Sequence, residues 1–500
     1  MATRTRIYHI ALVGIIALIL GTLLACTVKW PRAPHARDPL APQRVAIRPP
    51  YQNILDLPQL RTAPIYELRE EVDIAHRLIT GTAHITVTNR IPRAWHTVAL
   101  RLFPNLRHYG GVMRIRSLMG NGQQLPFRYS DTRTSVVADL PMLIESGGTL
   151  HLDVLYTVQY PRWEPNGYWL FGEHQGIINL PLAYPVLAVP REDGTWKLDD
   201  GLPMGDTLVA ESSFFHAWVT VPSTMTLISS AVISAATPYT QSAQTTYELV
   251  SGPAREFTIV LGDRYRQEER RIQGVAIRVY YLPGDEETAR AALTYASAAW
   301  QVYSHRFGIY PYIKMDVVET MLINRGMEYP LMSQLGVELF RDERRKLEFL
   351  TVHEVGHQWW YNQVGNDQIN EPWLDEGLTE YSTYFYYQDI YGQDVADAVL
   401  HNRWEIPVRY IRDRGLDAPI GLPESEYTPQ NYETIVYGKG ALFFHTLRKR
   451  LGDDVFLDVL RTYLNTYRYR IATGRDLQHV IEHVSGDNVD DLFRTWVYGP

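Results

Sequence analysis

Cysteine is almost missing from this chain, which holds one in 500 residues. No internal disulfide can form and a cysteine-rich metal site is excluded, so any bound metal must be held by histidine and carboxylate. A basic excess is missing too. With 48 Lys and Arg against 56 Asp and Glu, the formal charge of -8 leaves nothing to neutralise a phosphate backbone, which argues against nucleic acid as a partner. Internal repeats are absent, and the content of 45% hydrophobic and 21% charged residues rules out disorder throughout. At this length two or three domains are expected.

The N-terminus departs from that average. Arg4 and Arg6 precede an apolar run over residues 10–25 that closes with Leu23, Leu24, Ala25 and Cys26. This pattern is that of a secretion signal. Its end resembles the bacterial lipobox, which implies a signal peptide over 1–26, cleavage before Cys26, acylation of that thiol, and an extracytoplasmic, membrane-anchored protein. The alternative is an uncleaved membrane helix, although 16 apolar residues fall short of the roughly 17 to 25 that span a bilayer. Six prolines over 27–50 (Pro31, Pro34, Pro39, Pro42, Pro49 and Pro50) predict an extended tether, assigned to 27–60.

From 61 to 264 the hydrophobic period is two. Ala83, Ile85 and Val87 alternate with His84, Thr86 and Thr88, and Leu150, Leu152 and Val154 alternate with His151 and Asp153. No helical stripe of useful length interrupts this region, so it predicts an antiparallel β sandwich or saddle. Beyond 265 helical spacing takes over. Asp285 is a plausible N-cap, with Leu293, Trp300, Tyr303 and Phe307 near one face of the first helix, and a long helix is predicted over 342–361. The multidomain reading is a β domain followed by an α+β domain over 265–500.

Chemistry concentrates at His353, Glu354, Val355, Gly356 and His357. Four residues make slightly more than one helical turn, so both imidazoles leave the same face and can share one ion, with Glu354 beside them. A third ligand is required. Glu376 supplies it after 18 intervening residues, in the segment Trp373 to Gly377, where Asn370 could cap a second helix and Pro372 fits its first turn. Two histidines and a glutamate leave one open position on a single zinc ion, the arrangement of a catalytic site. A carboxylate such as Glu354 can take the proton of an activated water and return it to a leaving amine. Glu380, one turn after Glu376, could hold a ligand histidine in its tautomer; the alternative is a solvated helix-face carboxylate.

The run HEVGHQWWYN followed by WLDEG is similar to the signature of the gluzincin zinc aminopeptidases, the membrane alanyl aminopeptidase family. Three further segments agree. Arg325, Gly326, Met327, Glu328 and Tyr329 stand where the family has GAMEN, Tyr437 in VYGKGA resembles its catalytic tyrosine, and the LFPN stretch near Asn105 resembles its N-terminal saddle domain. The resemblance implies a thermolysin-like catalytic domain and zinc-dependent removal of N-terminal residues from peptide substrates. It further implies oxyanion support from Tyr437, with amine and substrate binding at Glu328, Gly326 and Met327. Gly326 and Tyr329 depart from the Ala and Asn of the motif, so substrate contacts at that edge are expected to differ. The helices run to Pro500, which implies a more open cleft than in relatives with a large C-terminal helical domain.

Two rival readings accompany this one: a zinc endopeptidase or other zinc hydrolase, and a lipid-anchored binding or scaffold protein on a degenerate peptidase fold. For the second amine-binding residue, Glu173 and Gln175 are the candidates. The aromatic residues Trp163, Tyr168, Trp169 and Phe171 could rim the site or simply pack, and the run 341–346 reads as a solvated helix face.

Overall fold

The computed structural model describes residues 38, 40–163, 170–322 and 325–499. The signal segment with Cys26 lies outside the described residues, as do Tyr168 and Trp169. Among the described residues no helix is long and apolar enough to cross a membrane.

The alternating residues become strands with one buried face. Ile65–Asp73, Leu78–Thr88 and Thr149–Gln159 bury every second residue, and the buried set includes Ala83, Ile85, Val87, Leu150, Leu152 and Val154. These strands are central in an eight-stranded sheet, while Trp95–Arg101 and Ile177–Pro181 lie in two further four-stranded sheets. One correction concerns strand direction. Ile65–Asp73 pairs in parallel with Phe214–Pro222, so the large sheet is mixed and not wholly antiparallel. The chain builds one smaller sheet and two strands of the other, Gly172–His174 and Ile177–Pro181, before Phe214–Pro222 returns to pair with Ile65–Asp73. That long excursion allows the parallel crossover which a short hairpin could not make.

Residues 42–60 overturn the extended tether for their part of it. They form three short 3₁₀ turns, Pro42–Ala46, Pro49–Asp56 and Pro58–Leu60. Ala46, Ile47, Ile54, Leu55 and Leu60 are buried, Ile47 bridges to Tyr312, and Arg48 donates to the carbonyls of Tyr310 at 2.9 Å and Gln273 at 2.6 Å. Proline fixes φ near the value a 3₁₀ turn needs, and the apolar residues between the prolines gain more by burial than by solvation.

The second domain opens with a five-stranded mixed sheet. Its order is Arg266–Ile272, Val275–Tyr281, Lys314–Thr320, Met332–Gly336 and, at the edge, Gly326–Met327. Helix Glu286–Arg306 packs Trp300 and Tyr303 inward. Asp285 occupies its N-cap position without capping it and instead binds Arg341 at 3.1 Å. The histidine helix, Arg344–Gly356, is shorter than the 342–361 predicted, and the acidic helix follows as Trp373–Tyr391. Asn370 does not cap the latter. It bonds Asp367, and Pro372 takes the cap position. The two domains share a core, because Val318, Met321, Leu322 and Met332 join the hydrophobic cluster of the β sheets.

Candidate active site

The histidine helix and the acidic helix bring three donor atoms together. His353 Nε2 and His357 Nε2 lie 3.1 Å apart, and Glu376 Oε2 lies 3.2 Å from the first and 3.3 Å from the second. All three side chains are buried. Ligands about 2.0 to 2.2 Å from a tetrahedral zinc stand roughly 3.3 to 3.6 Å from one another, so this triangle has the size that zinc requires. Charge agrees with size. Burial alone would lower the pKa of His353, yet Glu376 and Glu380 raise it to about 9, so the donor set favours positive charge at its centre.

Each imidazole is fixed from its far side. His353 Nδ1 lies 3.0 Å from Glu380 Oε2, and His357 Nδ1 donates to the Trp360 carbonyl at 3.0 Å. Both rings therefore turn Nε2 inward, as a metal site needs. Glu380 is itself held by Arg403 at 2.7 Å and the Trp404 indole at 2.8 Å. Burial opposes its ionisation, but Arg403 and His353, with help from Trp404, bring its pKa down to about 2. The structure thus assigns Glu380 to the histidine and not to a solvated helix face.

The acidic helix can sit this close because of two glycines. A β-carbon on Gly377 would come 3.0 Å from Gly440 Cα, so the backbones of Trp373–Tyr391 and Gly440–Leu451 touch there. The turn before the second of these is a π-helical segment, Thr434–Lys439, which aims Tyr437 at the site. Tyr437 donates to Glu376 Oε1 at 2.7 Å, and its ring stacks on His353.

Glu354 is buried beside the donors, and burial pushes its pKa up to about 8. Its Oε2 has no hydrogen-bond partner among the described residues. Gly326, on the edge strand, lies directly against this carboxylate, and a β-carbon at 326 would collide with it. Arg325 takes φ +71°, a left-handed conformation that glycine adopts more readily than arginine. Its guanidinium binds Glu343 at 2.8 Å.

A second cluster of carboxylates adjoins the donors. Oxygens of Glu328, Asp206 and Glu376 lie within 4.8 Å of one another, and Glu328 and Asp375 likewise approach His357. Gln368 ties this cluster together by donating to Glu328 at 3.2 Å and Asp375 at 2.8 Å. Burial and then mutual repulsion raise the pKa of Asp206, while Asp375 rises to about 7, mostly from burial. A cationic group placed among them would relieve that repulsion. The cluster is held by contacts across the domain boundary: Lys197 pairs with Asp367 at 2.5 Å, Leu202 N–H donates to Glu424 at 2.6 Å, and Arg255 donates to the carbonyls of Tyr361 and Arg470.

The structure therefore brings together His353, Glu354, His357, Glu376, Glu380, Glu328, Gly326, Met327 and Tyr437, which line one cleft of about 680 Å³. Glu173 and Gln175 are not among its walls. Glu173 faces Arg162, and the Gln175 carbonyl accepts from Arg264. Trp163 and Phe171 pack, the indole donating to the Phe171 carbonyl at 2.6 Å. Asp206, Gln368 and Arg403 were missed. Asp375 stood inside the WLDEG run and was its only available signal.

Residues 292–496 match the family described as Peptidase family M1 domain. Aminopeptidase 2 of Candida albicans is 25% identical over 274 residues, which are 50% of this chain and 27% of that protein. Aminopeptidase M1 of Arabidopsis thaliana is 26% identical over 260 residues, 48% of this chain and 28% of the relative. The chain thus spans little more than a quarter of the length of these curated relatives. Among solved structures, the M1 zinc metallopeptidase from Deinococcus radiodurans superposes with a TM-score of 0.65 at 20% identity, covering 88% of this chain and 94% of that one. A mutant of that enzyme bound to a Tyr-Ser-Ala substrate gives 0.66 at 19% identity, covering 87% and 94%. The two-domain fold is thereby that of the M1 zinc metallopeptidases.

Proposed function

We propose that this protein, whose catalytic half matches the M1 peptidases, is a zinc-dependent aminopeptidase that releases N-terminal residues from peptides. The observation that carries the reading is the triangle of His353, His357 and Glu376 donors beside a buried Glu354 and a cluster of carboxylates. Zinc held by those three side chains would supply an activated water at neutral pH and polarise the peptide carbonyl.

The chain's own residues account for the remaining requirements. Glu354 accepts the proton of the attacking water on a carboxylate oxygen and delivers it to the leaving amine, a transfer suited to a carboxylate that burial has pushed up to about 8. Tyr437, already directed at the donor set, donates its phenolic hydrogen to the oxygen that gains charge as the carbonyl is attacked. Glu328 and Asp206 receive the free α-ammonium, whose charge offsets their repulsion. Asp206, from the β domain, takes the role for which the sequence had offered Glu173 and Gln175. Burial of both histidines and Glu376 strengthens the electrostatic contacts made at the donors.

The test is a panel of aminoacyl amides, free peptides and N-acetylated peptides, run with and without a zinc chelator. Chelator-sensitive cleavage of free but not acetylated peptides is expected. Equal cleavage of acetylated peptides would make the protein an endopeptidase, and no cleavage with a metal-free protein would leave the scaffold reading.

The location rests on the sequence alone. Arg4, Arg6, the apolar run and Cys26 support an extracytoplasmic lipoprotein anchored to a membrane. Cys26→Ser should abolish incorporation of labelled fatty acid; retained label would overturn the assignment.

A further inference from the structure

The cleft carries opposite charge at its two ends. Asp206 and Glu328 lie at one end. At the other, Arg345 and Lys346 enter from the first turn of the histidine helix, near Arg325, which immediately precedes the edge strand. Both helix residues are exposed. Two of the three share one carboxylate: Glu343 binds Arg325 at 2.8 Å and Lys346 at 2.9 Å. Arg345 makes no ion pair or hydrogen bond among the described residues. Arg403, the other cation on the wall, is committed to Glu380. An ordinary solvated helix face carries charges of both signs, interspersed. Here the excess is positive and lies on the wall of the catalytic cleft.

We propose that this end binds the free C-terminal carboxylate of the substrate, so that short, unblocked peptides of about three or four residues are the preferred class. The inference rests on the aminopeptidase reading and extends it to substrate length.

Helix geometry sets the ruler. Lys346 precedes His353 by seven residues, two turns, so it lies on the same face about 10.5 Å away along the axis; Arg345 lies about 12 Å away. An extended peptide advances roughly 3.3 to 3.6 Å per residue, so a carboxylate two or three residues past the scissile bond comes within reach of these flexible stems. Between the two ends the wall is apolar, with Phe349, Leu350, Val395 and Val399 available to the intervening side chains. A carboxylate held by guanidinium and ammonium together gains charge-assisted hydrogen bonds that an amide cannot make.

The zinc-loaded full chain is assayed on tri-alanine, its C-terminal amide and hexa-alanine. Tri-alanine should exceed its amide about tenfold in kcat/KM, mostly through KM, and the preference should shrink as ionic strength screens the contact. In the Arg345→Ala/Lys346→Ala variant the acid should lose several-fold more than the amide, bringing their ratio below about two, and Arg345→Lys should restore much of it. Hexa-alanine, whose carboxylate lies beyond these side chains, should be less sensitive to the double variant. Equal cleavage of acid and amide by the unaltered protein, or an unchanged ratio in the variant, would overturn the proposal while leaving aminopeptidase action intact. Cleavage of no free peptide would overturn both.

Discussion

Gly326 and the carboxylate of Glu354 occupy adjoining space with no room for a methyl group between them. The edge strand of the cleft therefore also bounds the carboxylate proposed to transfer the proton. In the family motif that place is alanine, so this chain has given its carboxylate the volume a side chain would fill. Gly326→Ala should displace Glu354 and lower kcat by about tenfold or more, within the range that general acid–base groups contribute. Zinc content should remain, and metal analysis beside steady-state kinetics checks both halves. Undiminished kcat would mean that Glu354 works from another position.

Glu380 would act on zinc at the donor triangle through His353, whose Nδ1 lies 3.0 Å from its Oε2. Loss of such an outer partner costs metal sites about 10- to 100-fold in affinity. Glu380→Gln should weaken zinc binding by that order while leaving the fold in place. Arg403→Ala should do so to a lesser degree, because Arg403 holds Glu380 at 2.7 Å. Competition with a chromogenic chelator measures both.

Tyr437 donates to Glu376 Oε1, while Oε2 of the same carboxylate is the atom that faces the histidines. Tyr437→Phe should keep zinc and change KM little, yet lose about 10²- to 10³-fold in kcat, the cost of removing one oxyanion donor. A variant that instead loses zinc would show that the phenol serves the ligand and not the reaction.

Far from the cleft, Glu70 is buried in the large β sheet and accepts a hydrogen bond from Tyr156 at 2.6 Å. Burial raises its pKa from 4.5 to about 7. Between those values the folded protein keeps a proton that the unfolded chain releases, so stability is full below pH 4.5 and falls as pH rises to about 7. The loss amounts to roughly 3 kcal/mol. Glu70→Gln should flatten the dependence, seen as a smaller drop in unfolding midpoint between about pH 5 and about pH 8.

Much of the site was legible because its spacing is local. His353 and His357 share a face whatever surrounds them, and the alternation of Ala83, Ile85 and Val87 fixes which side of a strand is buried. Other features were not. Residues 42–60 read as a tether because proline count outweighed Ile47, Ile54 and Leu55, whose burial depends on partners such as Tyr312. The histidine helix ends at Gly356 because the chain then turns to offer the Trp360 carbonyl to His357. Gly440 packs against the backbone of Gly377, a contact between segments that local spacing does not show.

The sequence by itself singled out His353, Glu354, His357 and Glu376 and determined the two domain types, since these follow from residue type and from periods of two and 3.6. Only the tertiary structure decided that Asp206 meets Glu328, that Arg403 anchors Glu380, and that Arg345 and Lys346 face the same cleft. Those residues come from separate segments, and their meeting depends on how helices and sheets pack, which no short-range spacing encodes.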